Sequence, residues 1–291
     1  MTTQPALTSV VMITYHTGPV LDQSISAVLA QTAPVELILV NNGNPPQIEE
    51  KLVALAKNEP RVRFVTGQGN VGFSTGCNLG AKNAQGDYIL FLNPDSILPP
   101  QAVARAHEYG VKLARPYMLG ARLLDGEGKD QRGCRRALLT PMTALIEAFH
   151  LYRFFPKQRL NLHEEPLPKT IVPVEAISGA FMFLPVADLW EINGFDEGYF
   201  LHVEDLDLCL RFSRAGGTIY FVPDIVVTHI GGTSKTTSEF LERHKAAGFR
   251  RYFHENFNHD YPQPVLWLLD AAIMMRLWVK LRLVKRGVKA V

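Results

Sequence analysis

Cysteine is scarce in this chain of 291 residues, which has only Cys77, Cys134 and Cys209, and the three are far apart. So few thiols at such spacing exclude a disulfide framework and a thiolate metal site, and they fit a reducing cytosol. The amino terminus lacks the basic segment of a secretory signal, so we expect no signal peptide. The apolar carboxyl-terminal segment has no uninterrupted run of the roughly 20 residues that a membrane span needs.

Excess positive charge is also absent from most of the chain, although the net charge is +2. Six basic residues and no acidic ones lie between Arg276 and Val291, which leaves 24 basic against 28 acidic residues elsewhere. The basic character is therefore a property of the carboxyl-terminal tail. Because the rest of the chain is net acidic, we expect no nucleic-acid partner.

The first half of the chain alternates between strand and helix patterns. The predicted elements are strands at 9–15, 36–40, 62–65 and 88–92 and helices at 19–31, 47–58 and 75–85. Such alternation predicts an α/β fold with a mostly parallel, Rossmann-like sheet and helices on both faces.

The second half of the chain is less regular. Residues 126–172 are rich in Arg and Pro and have no assignment. The other predicted elements are a strand at 176–184, a helix from about 204 to 216, short strands at 218–222 and 225–229 divided by a proline, and a helix at 237–255. No polar linker separates the halves, so we expect one continuous domain.

Polar residues follow three predicted strands, at Thr14 to His16, Asn41 to Asn44, and Asn93 to Asp95. The carboxyl ends of parallel strands meet at one edge of a sheet, where α/β proteins bind ligands. A hard cation held there by the Asp95 carboxylate could carry a diphosphate. The alternative is that these residues simply form polar turns.

A glycine-rich stretch, Asn70–Gly80, precedes or opens a predicted helix. It matches neither the Rossmann fingerprint nor the P-loop, which argues against a dehydrogenase and a P-loop kinase. Backbone amides at such a helix start favour an anion. Tight packing of the helix on the sheet explains the glycines equally well.

Three carboxylates lie within four positions, at Glu204, Asp205 and Asp207. They could stabilise the start of a helix, or one could accept a proton from an attacking hydroxyl. Neighbouring helical residues point about 100° apart, so Glu204 and Asp205 cannot share one role, and the pattern alone does not choose between them. His229 ends an apolar run beside two glycines, where it is either structural or placed near a metal or phosphate.

Together these segments resemble family 2 of the inverting glycosyltransferases, which have the GT-A fold, and among them the rhamnosyltransferase-like enzymes. The resemblance covers most of the chain and rests on blocks in the family's order, namely residues 11–16, 39–43, 70–80, 86–95, 178–180, 194–197 and 204–211. It implies a glycosyltransferase domain at 1–260. Residues 1–115 would form its nucleotide-binding half and 116–260 its acceptor-binding half.

The resemblance also implies a mechanism. Asp95 corresponds to the surviving aspartate of the DxD metal motif and would hold Mg²⁺ or Mn²⁺ with the donor diphosphate, and His229 would complete the metal site. Asp205 corresponds to the catalytic base that deprotonates the acceptor hydroxyl. A single displacement then inverts the anomeric carbon, so no covalent nucleophile is required.

The remaining implied contacts fall on both sides of the cleft. The implied donor-binding residues are Thr14, Tyr15, His16, Asn41, Asn42, Gly43, Asn70, Gly72, Asn78, Asn93, Asp95 and Arg135. The implied acceptor-binding residues are Ser178, Gly179 and Glu204. Arg135 and Arg136 are interpreted as possible bidentate partners of the diphosphate.

Two departures from the family pattern bear on function. Asn93 replaces the first aspartate of the metal motif, as is common in rhamnosyltransferase-like relatives. Asn41 replaces an aspartate that contacts the base, which leaves the nucleotide preference open because an amide also donates. We expect dTDP-L-rhamnose as donor and a cell-envelope glycan or lipid-linked acceptor. The alternatives are a nucleotidyltransferase of related fold and a degenerate nucleotide-sugar-binding module.

The tail, residues 261–291, predicts an amphipathic helix with Trp267, Trp278 and basic residues along it. This composition suits a helix in the membrane interface, and six cations would add attraction to anionic lipid. We therefore expect a cytoplasmic protein held peripherally on the inner membrane. The alternative is a helix packed on the domain or on a second subunit, so an oligomer stays open.

Overall fold

The computed structural model describes residues 6–148, 160–234 and 236–285. Its strands are β1 (Thr8–Thr14), β2 (Val35–Asn41), β3 (Val62–Val65), β4 (Tyr88–Leu92), β5 (Ser96–Ile97), β6 (Tyr117–Leu124), β7 (Arg135–Arg136), β8 (Val172–Val174), β9 (Ala176–Ile177), β10 (Phe181–Pro185) and β11 (Thr218–His229). Its helices are α1 (Val20–Leu29), α2 (Pro46–Asn58), α3 (Phe73–Lys82), α4 (Ala102–Gly110), α5 (Pro141–Ala148), α6 (Val186–Glu191), α7 (Glu204–Arg214), α8 (Ser238–Phe257) and α9 (Gln263–Lys285).

One sheet spans both halves of the chain, in the order β3-β2-β1-β4-β10-β6-β11-β5, with β8 beside β11. Strands β3, β2, β1 and β4 are parallel, and β6 is parallel to β11. Strand β10 lies antiparallel between β4 and β6 and joins the two parallel parts. The predicted α/β fold with a mostly parallel sheet is confirmed.

The apolar runs form central strands because both faces of the sheet are covered by helices. Every residue of β1 and β2 is buried. Along β1, Val11 and Ile13 contribute to the core under α3, α7 and α8, whereas Val10 and Met12 contribute to the core under α1, α2 and α4. This alternation is the period of two that a strand imposes on its side chains.

Strand β11 differs from the prediction of two short strands. It runs unbroken from Thr218 to His229, and its pairing with β6 shifts register between Val222 and Val226. Pro223, which cannot donate to a ladder, falls within that irregularity, where a proline is tolerated. The long strand carries His229 to the same sheet edge as the ends of β1 and β4.

The unassigned segment also contains structure. Strand β7 and helix α5 lie within residues 126–172. Residues 149–159 of this segment fall outside the described residues. The structure also adds α4, β6 and α6, which the sequence patterns do not assign.

Helix α9 packs one face on the domain, where Leu266, Leu269 and Leu277 are buried. Trp267 and Trp278 on its other face are exposed. Among the described residues no helix has the length and apolar character needed to cross a membrane. The side chain of Lys285 and all of Arg286 and Lys289, which belong to the predicted basic cluster, fall outside the described residues.

Candidate active site

A cleft of about 490 Å³ opens at the carboxyl ends of β1 and β4. Its size lies within the range of roughly 300–1,000 Å³ that is typical of small-molecule sites. The start of α7, the segment after β11 and helix α8 complete its walls. The predicted site residues that line it are Tyr15, Asn42, Asn70, Gly72, Asn93, Asp95, Ser178, Gly179, Glu204, Asp205 and His229.

Asp95 and His229 meet because β5 pairs with β11, which sets His229 opposite Ser96. Nε2 of His229 lies 3.2 Å from Oδ1 of Asp95, and the Thr233 hydroxyl donates to Oδ2 at 2.9 Å. Burial acts to raise the pKa of Asp95, but when the His229 ring is protonated its hydrogen bond and charge, together with the Thr233 hydroxyl, hold that pKa below its usual value. The Asp95 carboxylate is therefore kept ionised.

Gln131 fixes the orientation of the His229 ring. Its Nε2 donates to the His229 carbonyl oxygen, so its Oε1 must face the ring, where it lies 2.7 Å from Nδ1. An amide oxygen only accepts, so Nδ1 carries the proton and, in the neutral ring, the Nε2 lone pair faces Asp95. Gln131 lies in the unassigned segment, and no sequence signal indicated it.

Asp95 and His229 lie together at one edge of the cleft, which we call the Asp95–His229 edge. This edge has the chemistry of a cation site that is shared with a ligand. A carboxylate oxygen and an imidazole lone pair point toward each other, and a cation between them satisfies both. No group of three or more His, Cys, Asp or Glu suited to a metal occurs in the part of the chain that the structure describes. Mg²⁺ and similar ions are commonly held by one or two protein ligands plus substrate phosphates. The residues present fit such a cation.

Asp205 lies in the first turn of α7 and is held by three donors. Arg136 Nη2 donates to its Oδ2 at 2.6 Å, the Gly179 amide donates to the same oxygen at 3.2 Å, and the Leu206 amide donates to Oδ1 at 2.8 Å. The Arg136 and Asp205 side chains are only 12% and 18% exposed. Burial disfavours the charged guanidinium, but the Asp205 carboxylate outweighs it and raises the pKa of Arg136.

Glu204 is in a different electrostatic environment from its neighbour. Its Oε2 is buried and has no hydrogen-bond partner among the described residues. Burial, and then repulsion from Asp205, raise the pKa of Glu204 to about 8. At neutral pH this side chain is therefore mainly a neutral acid that can donate a hydrogen bond. His202 and Val203, just before it, have positive φ angles of 69° and 74°, a strained backbone of the kind that persists at functional sites.

Part of the predicted donor-binding set builds the loop beside the cleft and does not line it. Oδ1 of Asn41 accepts from the Gly43 amide and from both nitrogens of Asn44. Asn44 in turn donates to the Thr14 hydroxyl and accepts from the His16 amide. Thr14, His16, Asn41 and Gly43 thus shape this loop around Asn44, which the sequence placed after the predicted strand at 36–40 but not among the donor-binding residues.

Asn78 and Arg135, which are predicted to bind the donor, are not among the residues that line the cleft. Asn78 is 4% exposed and bonds to the backbone of Phe195 and to Glu197. Arg135 is 6% exposed and donates to the carbonyl oxygens of Glu165 and Pro166. Neighbouring strand residues point to opposite faces, so Arg136 enters the cleft while Arg135 is directed away.

The glycines before α3 serve packing. Gly72 has a φ of 85°, and a Cβ there would lie 2.7 Å from the Phe200 carbonyl oxygen. That oxygen accepts from the Phe73 amide at 2.7 Å, so a protein carbonyl already occupies the first amide of α3. The loop from Gly67 to Gly72 does carry the spacing G-x-G-x-x-G, so the motif argument against a dehydrogenase holds only for residues 70–80. The occupied helix start, and not the spacing, distinguishes this loop from a pyrophosphate site.

Comparisons with solved structures show the fold. A GalNAc-T7 structure with UDP, GalNAc and Mn²⁺ superposes with a TM-score of 0.62 at 16% identity, covering 86% of this chain and 48% of that one. A mannosyltransferase from Pyrobaculum calidifontis with GDP-Man and Mn²⁺ superposes with a TM-score of 0.58 at 15% identity, covering 99% of this chain and 77% of that one. This chain therefore has the GT-A fold, and it spans about half the length of the first of these neighbours.

Sequence comparisons identify the family. The N-acetylglucosaminyl-diphospho-decaprenol L-rhamnosyltransferase of Mycobacterium tuberculosis is 25% identical over 286 residues, which covers 92% of this chain and 90% of that protein. Rhamnosyltransferase WbbL of Escherichia coli is 31% identical over 150 residues, half of this chain and 53% of that protein. The family model described as glycosyl transferase family 2 matches residues 9–154, half of the sequence. The chain belongs to glycosyl transferase family 2 and is a glycosyltransferase.

Proposed function

We propose that this glycosyltransferase moves L-rhamnose from dTDP-L-rhamnose to a hydroxyl of a lipid-linked or cell-envelope glycan, with inversion and with Mg²⁺ or Mn²⁺. The observation that carries the proposal is that the Asp95–His229 edge and the Asp205–Arg136 pair line the same cleft. Support for the sugar comes from the two relatives named as rhamnosyltransferases.

The donor's nucleotide is assigned to the wall formed by Tyr15, Asn42 and Asn70. Asn42 donates from Nδ2 to the Gly72 carbonyl oxygen at 2.8 Å, while its Oδ1 is buried and has no partner among the described residues. A buried acceptor without a donor is costly, so a ligand N–H that reaches it gains affinity. A pyrimidine base such as thymine offers such an N–H.

Asp95 and His229 would hold the cation, with Gln131 fixing the imidazole and Thr233 the carboxylate. The bound cation supplies Lewis-acid stabilisation to the departing nucleoside diphosphate. The chain's own contribution at this edge is orientation, because each ligand side chain is already held by a hydrogen bond to its other polar atom.

Asp205 is assigned as the general base. It accepts the proton of the acceptor hydroxyl as that oxygen bonds to the anomeric carbon and the bond to the diphosphate breaks, with its electron pair leaving on the nucleotide. Arg136 and the Gly179 amide hold the carboxylate in position before the transfer. Neutral Glu204 is assigned as a hydrogen-bond donor to the acceptor sugar.

Helix α9 is assigned to peripheral contact with the cytoplasmic face of the inner membrane. Trp267 and Trp278 are exposed, and the Arg282 guanidinium lies 4.5 Å from the ring centre of Trp278. Aromatic and basic side chains on one helix suit the lipid headgroup region. The change Trp267→Ala with Trp278→Ala is expected to reduce sedimentation with anionic liposomes, whereas Val111→Ala, exposed elsewhere on the domain, is the matched control. Equal sedimentation of both variants would refute the contact.

Transfer is tested with a panel of nucleotide sugars, with and without Mn²⁺ and a lipid-linked acceptor, by following release of the nucleoside diphosphate. We expect release from dTDP-L-rhamnose that requires the cation and the acceptor. Turnover of a different nucleotide sugar would correct the donor. Formation of a nucleotide sugar with release of inorganic diphosphate would instead indicate a nucleotidyltransferase, and donor binding without release a binding module.

A further inference from the structure

Lys245 on α8 lines the cleft and has no role in the chemistry described so far. Among the residues that the structure describes, no hydrogen bond or ion pair satisfies its ammonium group. A largely buried ammonium without a partner is costly, because the charge is removed from water without compensation. Such a group in a binding cleft is suited to an anionic ligand.

The surroundings of Lys245 are predominantly positive. Burial lowers the pKa of Lys245, and the nearby charges of Arg276, Arg132 and Lys280 lower it further, against the opposite effect of Glu242. Glu242 is already engaged, since its Oε2 lies 3.0 Å from Arg276 Nη1. Arg132 likewise lies 3.9 Å from Glu147 Oε2. We call Lys245 and Arg276 the α8–α9 cluster, and of these two cations Lys245 has no acidic partner among the described residues.

The α8–α9 cluster is separate from the Asp95–His229 edge. Asp95 and His229 line the cleft from the strand ends, whereas Lys245 lines it from α8. Arg276 and Lys280 belong to α9, the helix whose opposite face exposes Trp267 and Trp278. An anion bound at Lys245 would thus sit between the catalytic cleft and the exposed apolar side of the tail.

We propose that the α8–α9 cluster, with Lys245 at its cleft end, binds the phosphate or diphosphate ester that joins the acceptor sugar to its lipid. The inference rests on the proposed function, because it presumes a lipid-linked acceptor. The donor's diphosphate is assigned to the Asp95–His229 edge, so a second phosphate site is needed only by an acceptor that carries phosphate itself. The sugar then lies toward Asp205 and the lipid toward α9.

Binding is measured by calorimetry with the full chain in EDTA, which removes the cation that the donor site requires. The probes are farnesyl diphosphate, farnesol, inorganic diphosphate and phosphatidylglycerol vesicles. The variants are Lys245→Met, the charge-conserving Lys245→Arg, and Arg276→Met. The matched control is Arg243→Ala, which removes an exposed cation from the same helix. Thermal melting establishes that each variant is folded.

We expect farnesyl diphosphate to bind the wild type and Lys245→Arg, and to bind Lys245→Met about tenfold more weakly, as for a lost hydrogen bond to a charged group. Arg276→Met should also weaken it, and Arg243→Ala should not. Equal affinity for wild type and Lys245→Met overturns the proposal. A Lys245 dependence seen only with inorganic diphosphate, or only with vesicles, overturns the assignment to an acceptor ester.

This outcome can be separated from failure of the proposed function. The calorimetric measurement needs neither turnover nor a correct donor, so it stands if dTDP-L-rhamnose is not the substrate. Where transfer is observed, Lys245→Met should raise the KM for the lipid-linked acceptor and leave the KM for the donor unchanged. A rise in the donor KM alone would place Lys245 at the donor and overturn the inference.

Discussion

The Arg136–Asp205 ion pair gives the sharpest test of the catalytic assignment. Both side chains are more than four-fifths buried, and the Arg136 Nη2 to Asp205 Oδ2 distance is 2.6 Å. Removing one partner of such a pair leaves the other charge uncompensated, at a cost of about 3–5 kcal/mol in the free energy of unfolding. Arg136→Gln is expected to show a loss of this size, measured by urea unfolding.

Asp205→Asn should show two separable effects. It loses the same ion pair, but its single amide oxygen can take the place of Oδ2 and still accept from Arg136 and the Gly179 amide, so its unfolding free energy should fall less than that of Arg136→Gln. Its kcat should fall about a hundred- to ten-thousandfold, the usual contribution of a general base. The double variant should be more stable than the sum of the single losses predicts, since neither charge is then left alone.

Asp207→Asn is the matched control for these variants. Asp207 lies on the same helix, is 3% exposed at its side chain, and pairs with Arg211 at 2.7 Å, but it does not line the cleft. This variant should lose stability while keeping kcat per folded molecule. Full turnover by Asp205→Asn, or an equal loss of kcat in Asp207→Asn, would refute the assignment of the base. An unchanged unfolding free energy in Arg136→Gln would refute the buried pair.

Three further predictions concern the rest of the cleft and the core beneath it. The raised pKa of Glu204 means that the folded chain keeps a proton that the unfolded chain loses near its usual value of 4.5, so wild-type stability falls as pH rises from there to about 8. Glu204→Gln should remove this fall. Over that pH range its free energy of unfolding, measured in urea, should therefore increase relative to that of the wild type by at most about 5 kcal/mol. A difference between the two proteins that does not vary with pH would refute the raised pKa of Glu204. Gln131→Leu should weaken Mn²⁺ binding about 10- to 100-fold in calorimetry with a nucleoside diphosphate present, and unchanged affinity would show that the ring of His229 needs no such support. Gly80→Ala would place a Cβ 2.3 Å from Cγ1 of Val11, so a stability loss of about 1–3 kcal/mol is expected in thermal unfolding, and wild-type stability would contradict the close packing of α3 on β1.

The first half of the fold could be predicted because its signals are local. Strands buried on both faces are continuous apolar runs, and short helical patterns alternate with them. The joining of the halves through β10 could not be predicted, because it depends on the antiparallel pairing of Phe181 with Leu92, far apart in the sequence. The single long strand β11 could not be predicted either. Pro223 favours two short strands, but pairing with β6 and with β8 and β5 keeps the segment as one strand.

Apart from residues implied by the family resemblance, such as Asp205, the site could be predicted from the sequence only where its residues end strands. Asp95 and His229 carry that signal, whereas Gln131 lies in a segment without periodicity and reaches His229 across 98 positions. Arg135 and Arg136 show a further limit of prediction from the sequence. Arg135 and Arg136 form a two-residue strand, and which of them enters the cleft depends on a register that only its pairing with β9 fixes.

Asn93 stands where the family resemblance expects an aspartate. This difference changes the charge at the Asp95–His229 edge. The Nδ2 of Asn93 lies 3.2 Å from His229 Nε2, so an amide N–H can meet the imidazole lone pair that also faces Asp95. A carboxylate at position 93 would add a second negative charge there and would require a permanent counter-charge. With Asn93 the edge carries one formal negative charge, and a divalent cation is left under-compensated by the protein. The donor's diphosphate supplies the missing charge, so the cation and the donor are expected to bind as one unit.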